Sequence, residues 1–312
     1  MDYLALWLAP FTKALLVLVL IFFFLNTRTL ASLFSCLSRR GALALVLIFL
    51  SGLALRVWGM PHAHSVFYDE FEHINIAQNI DHAGRFSVCQ DGGSVSCARY
   101  QLLPWPSGYH TLLSLFFGIF GDTESVAYHL NAVIGALTIP LGFLLFTLKT
   151  GSPRLSLVGA LLFSLIPAHL RFSGSSALCV LSIFSIVGCL IYLELFLKNK
   201  TFLLFVSFLA SLLFALYVRP ENFLMVFVCG AVLGVFLERP GAILLRRPYV
   251  LAIAVFFLLT VPLAQLIYYG AHIFRAPGWS DPLWARGVHL LKNTDLNILY
   301  FISFYFISTF YI

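Results

Sequence analysis

Apolar residues run in long blocks along this chain, separated by short polar or basic stretches, rather than at the three-to-four spacing of a surface helix. Crossing a bilayer takes about 20 such residues, fewer where flanking side chains reach the interface. Blocks of that kind lie at about 4–25, 41–58, 126–148, 155–170, 177–197, 201–218, 222–237, 249–269 and 297–312. The pattern predicts an all-α fold, a polytopic transmembrane helical bundle of about 8–9 spans. In the first block Pro10 and Lys13 leave only Ala14 to Leu25 free of charge. Proline marks block ends at Pro153, Pro167, Pro220, Pro240 and Pro248, where a helix stops cheaply.

Composition agrees with the pattern. Apolar residues make up 61% and charged ones 10%, with a mean hydropathy of +0.95, which excludes a water-soluble globule and a disordered chain. Asp2 stands where a signal peptide would carry basic residues, and no small-residue cleavage site follows. The net charge of +6 reads as a topology signal, and no nucleic-acid partner is expected.

One shorter apolar run, Tyr109 to Phe120, decides the orientation. If it does not span, then Arg28, Arg39, Arg40, Lys149, Arg154, Lys198, Lys200, Arg239, Arg246 and Arg247 share one side against Glu238 alone. If it spans, the last seven of these bases oppose the first three, against the positive-inside rule. The run is therefore expected to lie along or dip into the outer surface. Segment 59–125 then faces outside, with seven acids against Arg85 and Arg99. The expected organisation is an N-terminal helix with a basic cytoplasmic loop over 1–40, then a transmembrane module over 41–312 with an outer loop of juxtamembrane helices at 59–125. The module ends inside an apolar run and is expected to be C-terminally incomplete.

Any chemistry is expected in that outer loop. It begins His62-Ala-His64-Ser-Val-Phe-Tyr68-Asp69-Glu70-Phe71-Glu72-His73, just beyond a span end at Trp58. Phe71, Ile74, Ala77 and Ile80 recur every three residues before Gly84, predicting a short interfacial helix. Asp69 with Glu72 fits a capping box, the histidines and acids are metal-ligand types, and Asp69 at the interface suits a general base. Cys89 and Cys97 share the loop and would bridge in an oxidising compartment or stay reduced in a reducing one. Arg171 and Arg219, at the outer ends of two spans, offer planar donors to a lipid phosphate, or simply reach for the interface.

The pattern resembles the GT-C integral-membrane glycosyltransferases, in particular the group of protein O-mannosyltransferases and aminoarabinose transferases. The likeness rests on Tyr68-Asp69-Glu70-Phe71, on Ala83-Gly84-Arg85-Phe86, on Pro104-Trp105-Pro106-Ser107-Gly108-Tyr109 leading to Phe120-Gly121, on Leu165-Ile166-Pro167 and on Arg219-Pro220-Glu221, over roughly residues 41–240. It departs where the family has an arginine opening the span after Phe-Gly; here His129 is the stand-in. The resemblance implies inverting transfer of a sugar from a polyprenyl-phosphate carrier to a hydroxyl of a protein, lipid or glycan acceptor, on the non-cytoplasmic face of a plasma, inner or endoplasmic-reticulum membrane. Asp69 and Glu70 would be catalytic, with Asp69 the base. His73, His129, Arg171, Arg219 and Glu221 would bind substrate, and membrane lipids would be the other partners. No cofactor and no protein-held metal are expected. Two other classes compete: a lipid or solute transporter or flippase, and a non-catalytic membrane assembly subunit. Ionisable residues in mid-span and paired broken helices would favour transport.

Overall fold

In the computed structural model, residues 2–64, 67–89, 97, 100–103, 105–237 and 240–273 are described. The sequence-predicted span at 297–312 lies outside them, as do Asp91, Arg99, Pro104, Glu238 and Arg239. The described part is largely one unit, Met1–Ile267; of a second unit, Tyr268–Ile312, only the last turns of one helix are described.

The chain is mostly helical. α1 (Asp2–Leu25) and α2 (Thr27–Phe34) precede α3 (Arg39–Ala54), which continues as a π-helical turn over Leu55–Gly59. The outer loop holds α4 (Phe67–Ala83), the paired strands β1 (Val88–Cys89) and β2 (Tyr100–Gln101), and α5 (Gly108–Phe120). Then follow α6 (Glu124–Thr150), α7 (Pro153–Ser164), α8 (Pro167–Ser173), α9 (Cys179–Asn199), α10 (Phe202–Val218), a 3-10 turn over Pro220–Phe223, α11 (Leu224–Phe236), α12 (Pro240–Leu244) and α13 (Arg247–Ile273).

Among the described residues, five helices are long and apolar enough to cross a membrane, over Ala5–Leu25, Arg39–Gly59, Glu124–Thr150, Cys179–Asn199 and Arg247–Ala264. A sixth crossing arises if α7 and α8 are one bent span. The continuous 155–170 span expected from sequence is two helices bent by 56°, because Pro167 opens α8 without an N–H to continue α7. α10 and the Pro220–Phe236 stretch are apolar but shorter.

Burial sorts core from rim. In the spanning windows of α6 and α9, 61% of residues are buried, against 22% in α1 and 17% in each of α3 and α13. α10 packs against α9, α1 and α5 and is buried from Leu204 to Val218 apart from Val206, as expected for a helix apolar on every side. Exposed leucines and phenylalanines on α1, α3, α11 and α13, such as Phe24, Leu47, Phe227 and Leu258, present an apolar rim suited to lipid.

The loop folds onto this core. Ile74, Ala77 and Ile80 of α4 are buried while Phe71 stays 43% exposed, and α4 packs along α5. Gly84, at φ +64°, ends α4 in the left-handed conformation that favours glycine. The start of α4 differs from the capping-box expectation. The helix already runs at Phe67, so Asp69 and Glu70 sit within its first turn, where carboxylates face the positive end of the helix dipole. Of the two alternatives for the loop cysteines, the structure forms the Cys89–Cys97 disulfide, closing the β1–β2 ribbon. Phe86 N–H donates to the Ala5 carbonyl at 2.8 Å and so ties the loop to α1.

Candidate active site

Asp69 and Glu70 are neighbours on one turn with opposite surroundings. Glu70 is fully buried, and its Oε2 accepts hydrogen bonds from Ser176 N at 2.9 Å, from Ser176 Oγ at 2.8 Å and from His64 Nδ1 at 3.2 Å. The turn that offers Ser176 is fixed from two sides. Asn131 on α6 donates to the carbonyls of Ser175 and Ala177, at 2.6 and 3.0 Å, and Gly174 lies so close to the chain before α4 that a Cβ there would meet the Pro61 carbonyl oxygen at 2.6 Å. Asp69 is only partly buried and makes no hydrogen bond among the described residues. Burial and, after it, the charge of Glu70 raise the Asp69 carboxyl above its ordinary value.

One turn further along α4, His73 is 3% exposed and its Nδ1 meets His110 Nε2 at 3.0 Å. His110, fully buried on α5, meets the Pro106 carbonyl through its Nδ1 at 2.9 Å. Burial first, then the His110 ring and the Arg219 guanidinium, hold His73 well below the usual imidazole range. Burial pushes His110 down to about 3. Trp105 Nε1 donates to Glu72 at 2.8 Å, and its ring stands edge-on to His73.

Arg219 follows α10 in extended conformation before the Pro220–Phe223 turn. Its Nε donates to Glu221 Oε2 at 2.9 Å and its Nη1 to Cys179 Sγ at 3.2 Å. These groups meet around a cavity of about 170 Å³ lined by Asp69, Glu70, His73, Trp105, Cys179, Arg219 and Glu221, among others. Five sequence-predicted site residues therefore converge: Asp69, Glu70, His73, Arg219 and Glu221.

His129 and Arg171 do not line this cavity. Arg171 is exposed near the end of α8. His129 is exposed on α6, its Nδ1 bonded to the Ser125 carbonyl at 2.7 Å and its ring packed edge-on against His62. Among the described residues, no group of three or more His, Cys, Asp or Glu is placed to hold a metal ion.

Sequence reasoning passed over several residues that build the site. Ser176 and His110 position others, and only the polar Ser173-Gly-Ser-Ser176 run after a span points to one of them; His64, expected only as a metal-ligand type, instead holds Glu70. Arg56 had a clearer signal, a charge inside an apolar block, which by default marks function. It is fully buried in the π-helical turn, donating to Ser173 Oγ at 3.2 Å, Gly52 O at 2.8 Å and Ser164 O at 3.3 Å, with His169 Nδ1 at 2.9 Å. It thereby spans the α7–α8 break and holds Ser173, where the turn that reaches Glu70 begins.

Compared with protein-family models, with curated proteins and with solved structures, the chain matches none. The site's chemistry rests on its own geometry. A carboxylate without a hydrogen bond from a described residue, a neutral imidazole and a guanidinium face one small cavity, a set able to take a proton from a hydroxyl and to steady a phosphate nearby.

Proposed function

We propose that this protein is a membrane glycosyltransferase that moves a sugar from a polyprenyl-phosphate carrier to an acceptor hydroxyl at the cavity, with inversion. The observation that carries the reading is the contrast within the Asp69-Glu70 pair, one carboxylate held by three donors and the other facing a cavity that also holds Arg219. Asp69 takes the proton of the attacking hydroxyl as the oxygen closes on the anomeric carbon. The bond from that carbon to the carrier phosphate breaks, and the Arg219 guanidinium receives the growing phosphate charge. Glu221 keeps the guanidinium oriented until a phosphate competes for it.

Two further features support a lipid-linked donor. Leu178 and Cys179, at the start of α9, line the polar cavity, while Leu181 and Phe184 one turn on line an apolar cavity of about 300 Å³ shared with α1, α5, α6 and α10. An isoprenoid chain suits such a lining. The Cys89–Cys97 disulfide suits a loop that faces an oxidising, non-cytoplasmic compartment. In this reading α10 and the Pro220–Phe236 stretch also cross, completing eight spans up to α13, and α5 lies along the outer surface.

The test is consumption of radiolabelled polyprenyl-phosphate sugar by purified protein in proteoliposomes. A transferase releases the carrier phosphate, and Asp69→Asn lowers the rate by on the order of 10²-fold or more. The bend between α7 and α8, with the buried Arg56 across it, favours a transporter instead. That class relocates the labelled lipid without splitting it, and such a result would reject the transferase reading.

A further inference from the structure

The histidine pair behind the cavity fixes its own protons. A backbone carbonyl can only accept, so the Pro106 oxygen requires a proton on His110 Nδ1. His110 is fully buried and neutral, so its Nε2 carries a lone pair. That lone pair in turn requires the proton of His73 to sit on Nδ1. His73 is neutral as well, which leaves its Nε2 bare. No hydrogen bond from a described residue reaches that nitrogen, and His73 lines the cavity.

The groups around His73 do not supply a proton. Asp69 and Glu70 precede it on α4, Tyr109 and His110 face it from α5, and Trp105 spends its N–H on Glu72. Arg219 also lines the cavity and donates to Glu221 and Cys179. A nearby cation disfavours a second positive charge on the imidazole, so the lone pair persists.

We propose that His73 Nε2 is a hydroxyl-binding atom, and that His110 is the positioning residue that keeps it free of a proton. The assignment rests on the cavity being the acceptor site and names what the acceptor must present there, an O–H donor rather than an anion. It also divides the cavity. Arg219 takes the anionic group, while His73 and Asp69, one helical turn apart on α4, take hydroxyls.

The test is ¹⁵N NMR of the full chain in phospholipid nanodiscs with labelled histidine, His73 being assigned from the loss of its signals in His73→Gln. Bare and protonated ring nitrogens differ widely in shift, so the tautomer is read directly. The expected spectrum at pH 7 shows His73 protonated at Nδ1 and bare at Nε2. Glycerol, used as the hydroxyl probe, moves the Nε2 signal; inorganic phosphate, used as the anion probe, leaves it in place. His110→Gln offers both an acceptor and a donor and preserves the tautomer. His110→Phe fills the space without either, and a protonated Nε2 appears. A protonated Nε2 in the unmodified protein, a response to phosphate but not to glycerol, or an unchanged His73 tautomer in His110→Phe would overturn the assignment. None of these readings needs turnover. The expected spectra in a protein that splits no polyprenyl-phosphate sugar reject the transferase reading and leave the hydroxyl site standing.

Discussion

Replacing Glu70 separates an anchor from a base. In Glu70→Ala the Ser176 N–H, the Ser176 hydroxyl and the His64 Nδ1 lose their acceptor at a fully buried position. Each stranded donor costs about 1–3 kcal/mol, so the sum is roughly 3–9 kcal/mol before water or movement relieves it. That is a large part of the roughly 5–15 kcal/mol that holds a typical domain together. Glu70→Gln keeps an acceptor in place. Three charge-assisted bonds become neutral ones, at a loss of about 1 kcal/mol each, but the cost of burying an ion disappears with them. The two changes nearly cancel, leaving Glu70→Gln within about 2 kcal/mol of the unmodified protein. Melting in nanodiscs, followed by tryptophan fluorescence, should show Glu70→Ala lower by on the order of 10 °C and Glu70→Gln almost unmoved. In the turnover assay Glu70→Gln should keep most of the rate while Asp69→Asn loses it. If Glu70→Gln falls as far as Asp69→Asn, Glu70 takes part in the chemistry and its anchoring role is secondary. If Glu70→Ala melts with Glu70→Gln, the three bonds do not hold the turn.

Arg219→Ala should weaken use of the phosphate donor strongly and Arg219→Lys less so, since an ammonium lacks the planar fork, whereas Arg171→Ala should leave donor kinetics unchanged; equal losses at both positions would move the phosphate site. Stability should fall with acid. His110 binds its proton at about 3 when folded and near 6.5 when unfolded, so its contribution is complete above about pH 6.5 and is lost as pH drops toward 3, reaching about 2 kcal/mol at pH 5; denaturant melts at pH 7.5 and 5 should show this loss, and His110→Phe should reduce it. Gly174→Ala should destabilise and slow turnover together, because its Cβ would meet the Pro61 backbone oxygen at 2.6 Å and displace the turn that holds Glu70; normal melting and normal rate in that variant would show the turn to be free to move.

How much of this was readable in the sequence depends on how local each signal is. Among the described residues the apolar blocks match the helices to within a few residues, except at 155–170, since apolarity and helix hydrogen bonding are properties of a single segment. The end of α4 was legible from Gly84 and the break at Pro167 only in part, as a block end and not as a bend between two helices. The start of α4 was misplaced because a capping box and a first-turn acid pair look alike in sequence. The cavity was half legible. Asp69, Glu70, His73, Arg219 and Glu221 stand out in the sequence by chemical type alone, and their meeting depends on how α4, α9 and α10 pack. Arg171 and His129 stand out on the same grounds, but packing leaves both on the surface. Ser176 and His110 carry no signal of their own and His64 reads only as a metal-ligand type, because a serine or histidine acquires its role from the partner that the fold brings to it.

The environments of Asp69 and Glu70 follow from where the helix begins. Two successive residues on a helix point about 100° apart, so one can face the bundle while the other faces the opening. Glu70 points inward, where the turn after α8 supplies donors and Arg56 holds that turn across the α7–α8 break. Asp69 points into the cavity, where burial and the neighbouring charge raise its carboxyl and no described residue donates to it to favour the charged form. A base gains proton affinity in this way while remaining partly open to substrate. The same step accounts for the neutral imidazoles. A second cation beside Arg219 would lower the Asp69 carboxyl again, and the carbonyl of Pro106, acting through His110, prevents it by leaving His73 without a charge.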